Sequence, residues 1–128
     1  MSRRRLERGS AVVDFVLVMV LLVPIVLGIA QVALVLHVRN TLAAAASEGA
    51  RASAPIGATP ADGAARTRSM IRQALADHYA DDVSASWASI DGVPGAVVEV
   101  RARVPALGLL GPSVSLTVRG HAVREVAP

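Results

Sequence analysis

The chain has 128 residues, no cysteine and a formal charge of +3. That length admits one domain at most, and the missing cysteines exclude disulfides and thiolate chemistry, so any folded part rests on packing alone. Hydrophobic residues make up 53% of the chain and aromatic ones only 2%, an aliphatic excess that suits a lipid-facing helix better than a large core.

The charge is unevenly placed. Arg3, Arg4, Arg5 and Arg8 against Glu7 concentrate it at the start, whereas nine Arg face eight acids after His37. That near balance offers no surface for nucleic acid. The opening Arg cluster has two readings, a topology signal or a nucleic-acid contact, and the lack of stacking aromatics beside it favours the first.

From Phe15 to Leu36 the chain reads FVLVMVLLVPIVLGIAQVALVL, 22 residues without a charge. At 1.5 Å per residue such a helix spans about 33 Å, enough to cross a bilayer once. Lipid offers no partner to backbone groups, so the stretch has to be helical despite its many Val and Ile. Within it Pro24 is a candidate kink and Gly28 a candidate point of close helix approach. Gln31 is an amide suited to a hydrogen bond with a neighbouring helix, or simply a tolerated neutral group. The arginines before the span place the N-terminus in the cytoplasm, with everything after His37 extracytoplasmic.

Beyond the span, Val38, Leu42, Ala45 and Ala46 recur at helical spacing in Ala-rich sequence, so the helix continues, with Gly49 and Pro55 as its expected stop. Residues 55–60 read as a linker loop. A second helix opens at Ala61 or Asp62 and runs to about Tyr79, its apolar stripe formed by Met70, Ile71, Ala74, Leu75 and His78 or Tyr79. The pattern then turns to period two. Val83, Ala85 and Trp87 alternate with Ser84, Ser86 and Ala88; Val98, Val100, Ala102 and Val104 alternate with Glu99, Arg101 and Arg103; and Val114, Leu116 and Val118 alternate with Ser115, Thr117 and Arg119. Asp91 to Gly95 is the turn between the first two strands, and Pro105 to Pro112 is a longer, partly apolar connection. The expected fold is α+β: a cytoplasmic leader over 1–9, a transmembrane helix with its extension over 10–54, the linker, and a small extracytoplasmic domain over 61–128 with one helix on an antiparallel sheet of about three strands.

The residues just ahead of the span carry the most specific signal. Arg8-Gly9-Ser10-Ala11-Val12-Val13-Asp14-Phe15 sets a Gly, four uncharged residues, a carboxylate and an aromatic before the hydrophobic helix. This resembles the processing site of type IV prepilins, which a prepilin peptidase cuts after the Gly, and the resemblance implies a scissile bond between Gly9 and Ser10. Cutting there would create an ammonium on Ser10, and Asp14, four residues on, lies on the same helix face. At a lipid edge the two charges can neutralise each other, within a subunit or between neighbours. The simpler reading of Asp14 is a carboxylate favourable to a helix N-terminus.

Taken with Pro24 and Gly28 in the span and Glu48-Gly49-Ala50-Arg51 after it, Gly9, Ser10 and Phe15 make the chain similar to the TadE family of pseudopilin-like proteins from tight-adherence (Tad/Flp) pilus systems. Asp14 departs from the pattern, since that family usually has Glu there. The resemblance implies a minor pilin or pseudopilin with no cofactor. It also implies as partners the prepilin peptidase, other pilin or TadE-like subunits, the assembly machinery and the membrane, with a location in the cell membrane and then on a pilus or the cell surface.

Two rival readings stay open: an untrimmed single-pass membrane protein with an extracytoplasmic interaction domain, and a secreted binding module cut near Ala44 to Ala46. The span exceeds the usual ~7 to 15 residues of a signal peptide's apolar region, which weighs against the second. No enzyme is expected, because no serine sits in a G-x-S-x-G elbow. His37, His78 and His121 lack ligand spacing, and Asp77, Asp81 and Asp82 lack the loop of a calcium site. Trp87 is expected to fill the core.

Overall fold

A computed structural model of the chain describes residues 2–108 and 111–128. Met1, in the expected leader, and Leu109 and Leu110, inside the expected connection from Pro105 to Pro112, lie outside the described residues. The elements in chain order are α1 (Ser2–Ala52), α2 (Pro60–Ala74), a 3-10 turn (Asp77–Ala80), β1 (Asp82–Ile90), β2 (Val93–Val104) and β3 (Val114–Val123). The chain is α+β, with one long apolar helix, a second helix and a three-stranded antiparallel sheet in the order β1-β2-β3.

At 51 residues α1 is about 76 Å long, far more than one bilayer requires. Its two halves differ in surroundings. From Val12 to Val32 the large apolar side chains are exposed around the helix, whereas Val38, Leu42, Ala45, Ala46 and Ala50 are buried. They meet Ala64 and Ile71 of α2, Tyr79 and Ala80 of the 3-10 turn, and Val83, Val98, Val100, Val104 and Val118 of the sheet. The expected extension of the membrane helix is thus the central core helix of the folded head. α1 passes straight through Gly49, expected as part of its stop, and ends at Ala52.

The head has two helices on one face of the sheet. Each strand puts every second side chain on that face, and the alternation read from β2 and β3 matches: Val98, Val100, Val104 and Val118 are buried, while Arg101, Arg103, Thr117 and Arg119 are exposed. The turn between β1 and β2 is tighter than expected, because Ile90 pairs with Val93 and only Asp91 and Gly92 form the loop. Both have positive φ, 51° and 82°. That conformation matches the twist of a hairpin and is the one an Asp-Gly pair favours.

α2 also differs from its expected course. A capping box fixes its start: the Thr59 N–H donates to Asp62 Oδ2 at 2.7 Å, and the Asp62 N–H donates to Thr59 Oγ1 at 3.4 Å. It ends at Ala74, five residues before Tyr79. Its buried face is Gly63, Ala64, Thr67 and Ile71; of the expected stripe Ile71 is fully buried, Met70 and Leu75 pack partly buried against the core, and Ala74 is exposed. Trp87 corrects another expectation. It is 42% exposed and carries the Arg124 guanidinium over its ring at 4.8 Å, so it lies at the rim of the head and outside the core.

Candidate functional site

Gly9, Ser10, Asp14 and Phe15 all lie on the N-terminal part of α1 and are exposed. A Cβ at Gly9 would meet nothing within 4 Å. Ser10 and Asp14, four residues apart on a helix, share one face. Among the described residues Asp14 has no ion-pair partner. Gly9 is intrinsically poor in a helix, by about 1 kcal/mol relative to Ala, so it is the place in this stretch where local unwinding is easiest.

Pro24, Gly28 and Gln31 line one side of α1 together with Leu27. Facing them is the connection between β2 and β3, through Ala106, Leu107, Gly108, Gly111 and Pro112, and the groove between the two holds about 820 Å³. Pro24 has no N–H, which leaves the Val20 carbonyl without its usual helical donor. A Cβ at Gly28 would meet nothing within 4 Å, so within one chain this glycine permits no close approach that a larger residue would block. Gln31 joins the two sides: its Nε2 donates to the Pro105 carbonyl at 3.2 Å, and its Oε1 accepts from the Leu107 N–H at 2.9 Å. Both polar atoms of this amide are thus engaged by the chain's own connection.

The segment Ala46 to Arg51 shows why small residues stand there. A Cβ at Gly49 would collide with Thr67 Oγ1 and the Gly63 carbonyl oxygen, and one at Gly63 with Ser53 Oγ and the Gly49 carbonyl oxygen. Further along, Gly120 of β3 lies directly against the backbone of Ala46 and Ser47. Helix α2 and strand β3 therefore both pack on the bare backbone of α1. The hydroxyl of Thr67 donates in this crossing, to Gly63 O at 2.8 Å and Ala45 O at 3.3 Å. Sequence reading missed Gly63, Thr67 and Gly120. The stretch from Ala43 to Ala50, small at every position but Glu48, was the available signal.

On the outer face of the sheet Glu99 accepts from Arg119 Nε at 2.6 Å and from Arg101 Nε at 2.7 Å. The Arg119 hydrogen bond, with both positive charges nearby, holds its carboxyl below the ordinary carboxylate value. His37 and His121 are exposed and apart, while His78 stacks on Tyr79 with ring centres 4.0 Å apart. Among the described residues no group of three His, Cys, Asp or Glu side chains converges to hold a metal.

A single exposed apolar helix carrying a small α+β head defines the class: a membrane protein with one candidate span near its N-terminus. Residues 9–51 match the family model described as TadE, TadE-like protein, so that stretch of the chain is similar to the TadE family. The match runs from the Gly9-Ser10 pair to the end of the Ala46–Arg51 segment and stops before α2. Comparison with curated proteins and with solved structures finds no match.

Proposed function

We propose that the chain is a minor pilin or pseudopilin of a Tad-type pilus, inserted with its N-terminus in the cytoplasm and trimmed by a prepilin peptidase between Gly9 and Ser10. The observation that carries this reading is the apolar surface of α1, whose large side chains are exposed from Val12 to Val32, just beyond Gly9 and around Asp14. In lipid that surface is an anchor. Among like helices it is a packing surface, and passing from the first to the second setting involves little change in apolar burial.

Trimming would remove Arg3, Arg4, Arg5 and Arg8, the charges that hold the N-terminus on the cytoplasmic side. The new ammonium on Ser10 then stands one helical turn from Asp14, where the two offset each other. The head, built on the last third of α1, is carried along as a rigid unit, since the same helix is both anchor and core. Its partners on this reading are the peptidase, other pilin subunits and the assembly machinery.

The test is the N-terminus of the mature protein. With an active prepilin peptidase in the same cells, mass spectrometry should find a chain beginning at Ser10. A mature chain that still begins at Met1 or Ser2 would favour the untrimmed membrane protein, and a soluble product beginning near Ser47 would favour the secreted module.

A further inference from the structure

We infer that the connection between β2 and β3 enters the outer leaflet beside α1 and contacts lipid acyl chains, so that the chain meets the bilayer through two elements. The inference rests on the reading of α1 as a membrane span. Its basis is position. Ala106, Leu107, Gly108, Gly111 and Pro112 lie against Pro24, Leu27, Gly28 and Gln31, all inside the charge-free stretch from Phe15 to Leu36. Counted along the helix, Gln31 stands about 7.5 Å and Pro24 about 18 Å below Leu36, which puts the connection well inside the apolar slab that the span defines.

The chemistry of the connection fits that depth. No charged residue occurs from Val104 to Val118, and Leu107 is 46% exposed. Irregular backbone is tolerated in hydrocarbon only where protein groups take up its hydrogen bonds. Here Pro105 and Pro112 have no N–H, the Leu107 N–H and Pro105 carbonyl are both met by the Gln31 amide, and the Gly111 N–H donates to the Gly108 carbonyl at 3.4 Å. A lone amide in an apolar helix thus has a reason to be there: it supplies a donor to the Pro105 carbonyl and an acceptor to the Leu107 N–H. In water neither group would need it.

The occupant of this face is lipid because the face is continuous with the helix surface that lipid already covers. Pro24, Leu27 and Gly28 belong to the same exposed apolar helix as Val20, Leu21 and Ile25.

The absence of cysteine allows a direct test. Leu107→Cys, Val20→Cys and Ser86→Cys are each made in the full chain, labelled with an environment-sensitive fluorophore and reconstituted in phosphatidylethanolamine and phosphatidylglycerol vesicles with or without doxyl-labelled acyl chains. The probe at 107 should emit at the short wavelength seen at 20, and doxyl lipid should quench it at least half as strongly. The probe at 86, on the outer face of the sheet, should respond to neither. Adding Gln31→Leu should lower quenching at 107 at least twofold and leave quenching at 20 unchanged. A probe at 107 that behaves like the one at 86, while 20 is quenched, overturns the inference and leaves the anchor standing. A probe at 107 shielded from aqueous iodide yet untouched by doxyl lipid means that another protein covers the face, and overturns it too. If the probe at 20 is itself unquenched, the anchor reading fails and takes this inference with it.

Discussion

Gly49 of α1 and Gly63 of α2 cross with their backbones in direct contact, each so close to the other's carbonyl oxygen that a Cβ on either would collide with it. The obstacle is main chain in both directions, so neither helix can relieve a clash by turning a side chain aside. Gly49→Ala should therefore destabilise the head by about 3 kcal/mol, at the upper end of what overpacking costs. Urea titration of the full chain in detergent, followed by the fluorescence of Trp87, measures it. Gly28→Ala, where a Cβ meets nothing within 4 Å, is the matched control and should unfold like the parent.

The capping box gives a second, pH-dependent handle on the same helix. Thr59→Ala removes the N-cap oxygen and should cost about 1 kcal/mol. The Asp62 carboxyl is held below its ordinary value of 3.8 first by the Thr59 backbone N–H and then by the Thr59 hydroxyl. Folding therefore favours its ionised form. The contribution is complete above the unfolded value and is lost as pH falls through the lower folded one. The difference in unfolding midpoint between the parent and Asp62→Asn should be constant above about pH 5 and should narrow steadily below about pH 4. Glu99 is depressed in the same direction, but it is present in both proteins and drops out of the comparison.

Those two helices also show where sequence reading ends. Alternation along β2 and β3 reveals the buried face because a strand's period of two is local, and Val98, Val100 and Val104 obey it without reference to anything else. The buried face of α2 is different. Gly63, Ala64 and Thr67 are buried because Gly49 opposite them has no side chain, a fact about two segments rather than one. A reading by hydrophobicity looks for large residues and so selects Met70 and Leu75. Trp87 follows the strand period yet stays 42% exposed, with the Arg124 guanidinium over its ring. At the candidate site, Gly9, Ser10, Asp14 and Phe15 stand out by spacing alone, whereas the engagement of Gln31 by Pro105 and Leu107 spans more than 70 residues and has no local signature.

The close of the β1–β2 turn tests backbone conformation apart from packing. Gly92 holds φ at 82° with nothing within 4 Å of the site of a Cβ, so Gly92→Ala introduces strain and no clash. It should cost about 1 kcal/mol, read as a lower unfolding midpoint with an unchanged denaturant slope. Gly92→Asn should recover most of that loss, because Asn enters the left-handed region more easily than Ala.

Asp14 is the residue whose role divides the proposed function from its rivals. It lies exposed on the apolar half of α1, and on an untrimmed, solitary anchor it stands three turns inside a helix that begins at Ser2, beyond the reach of the N-terminal dipole. In an assembled pilus it would instead be drawn among apolar helices, where an unpaired carboxylate is costly and the ammonium of Ser10, from the same or a neighbouring subunit, is the charge at hand to offset it. Asp14→Ala should therefore insert in the membrane as the parent does and still be trimmed. Its incorporation into filaments should fall on the order of tenfold, the factor equivalent to about 1.4 kcal/mol of lost pairing. Asp14→Glu, which keeps the charge and adds one methylene of reach, should assemble at least as well as the parent. Quantifying the chain in sheared surface fibres and in the membrane fraction separates these steps. Equal recovery of the parent and Asp14→Ala in fibres would remove Asp14 from assembly.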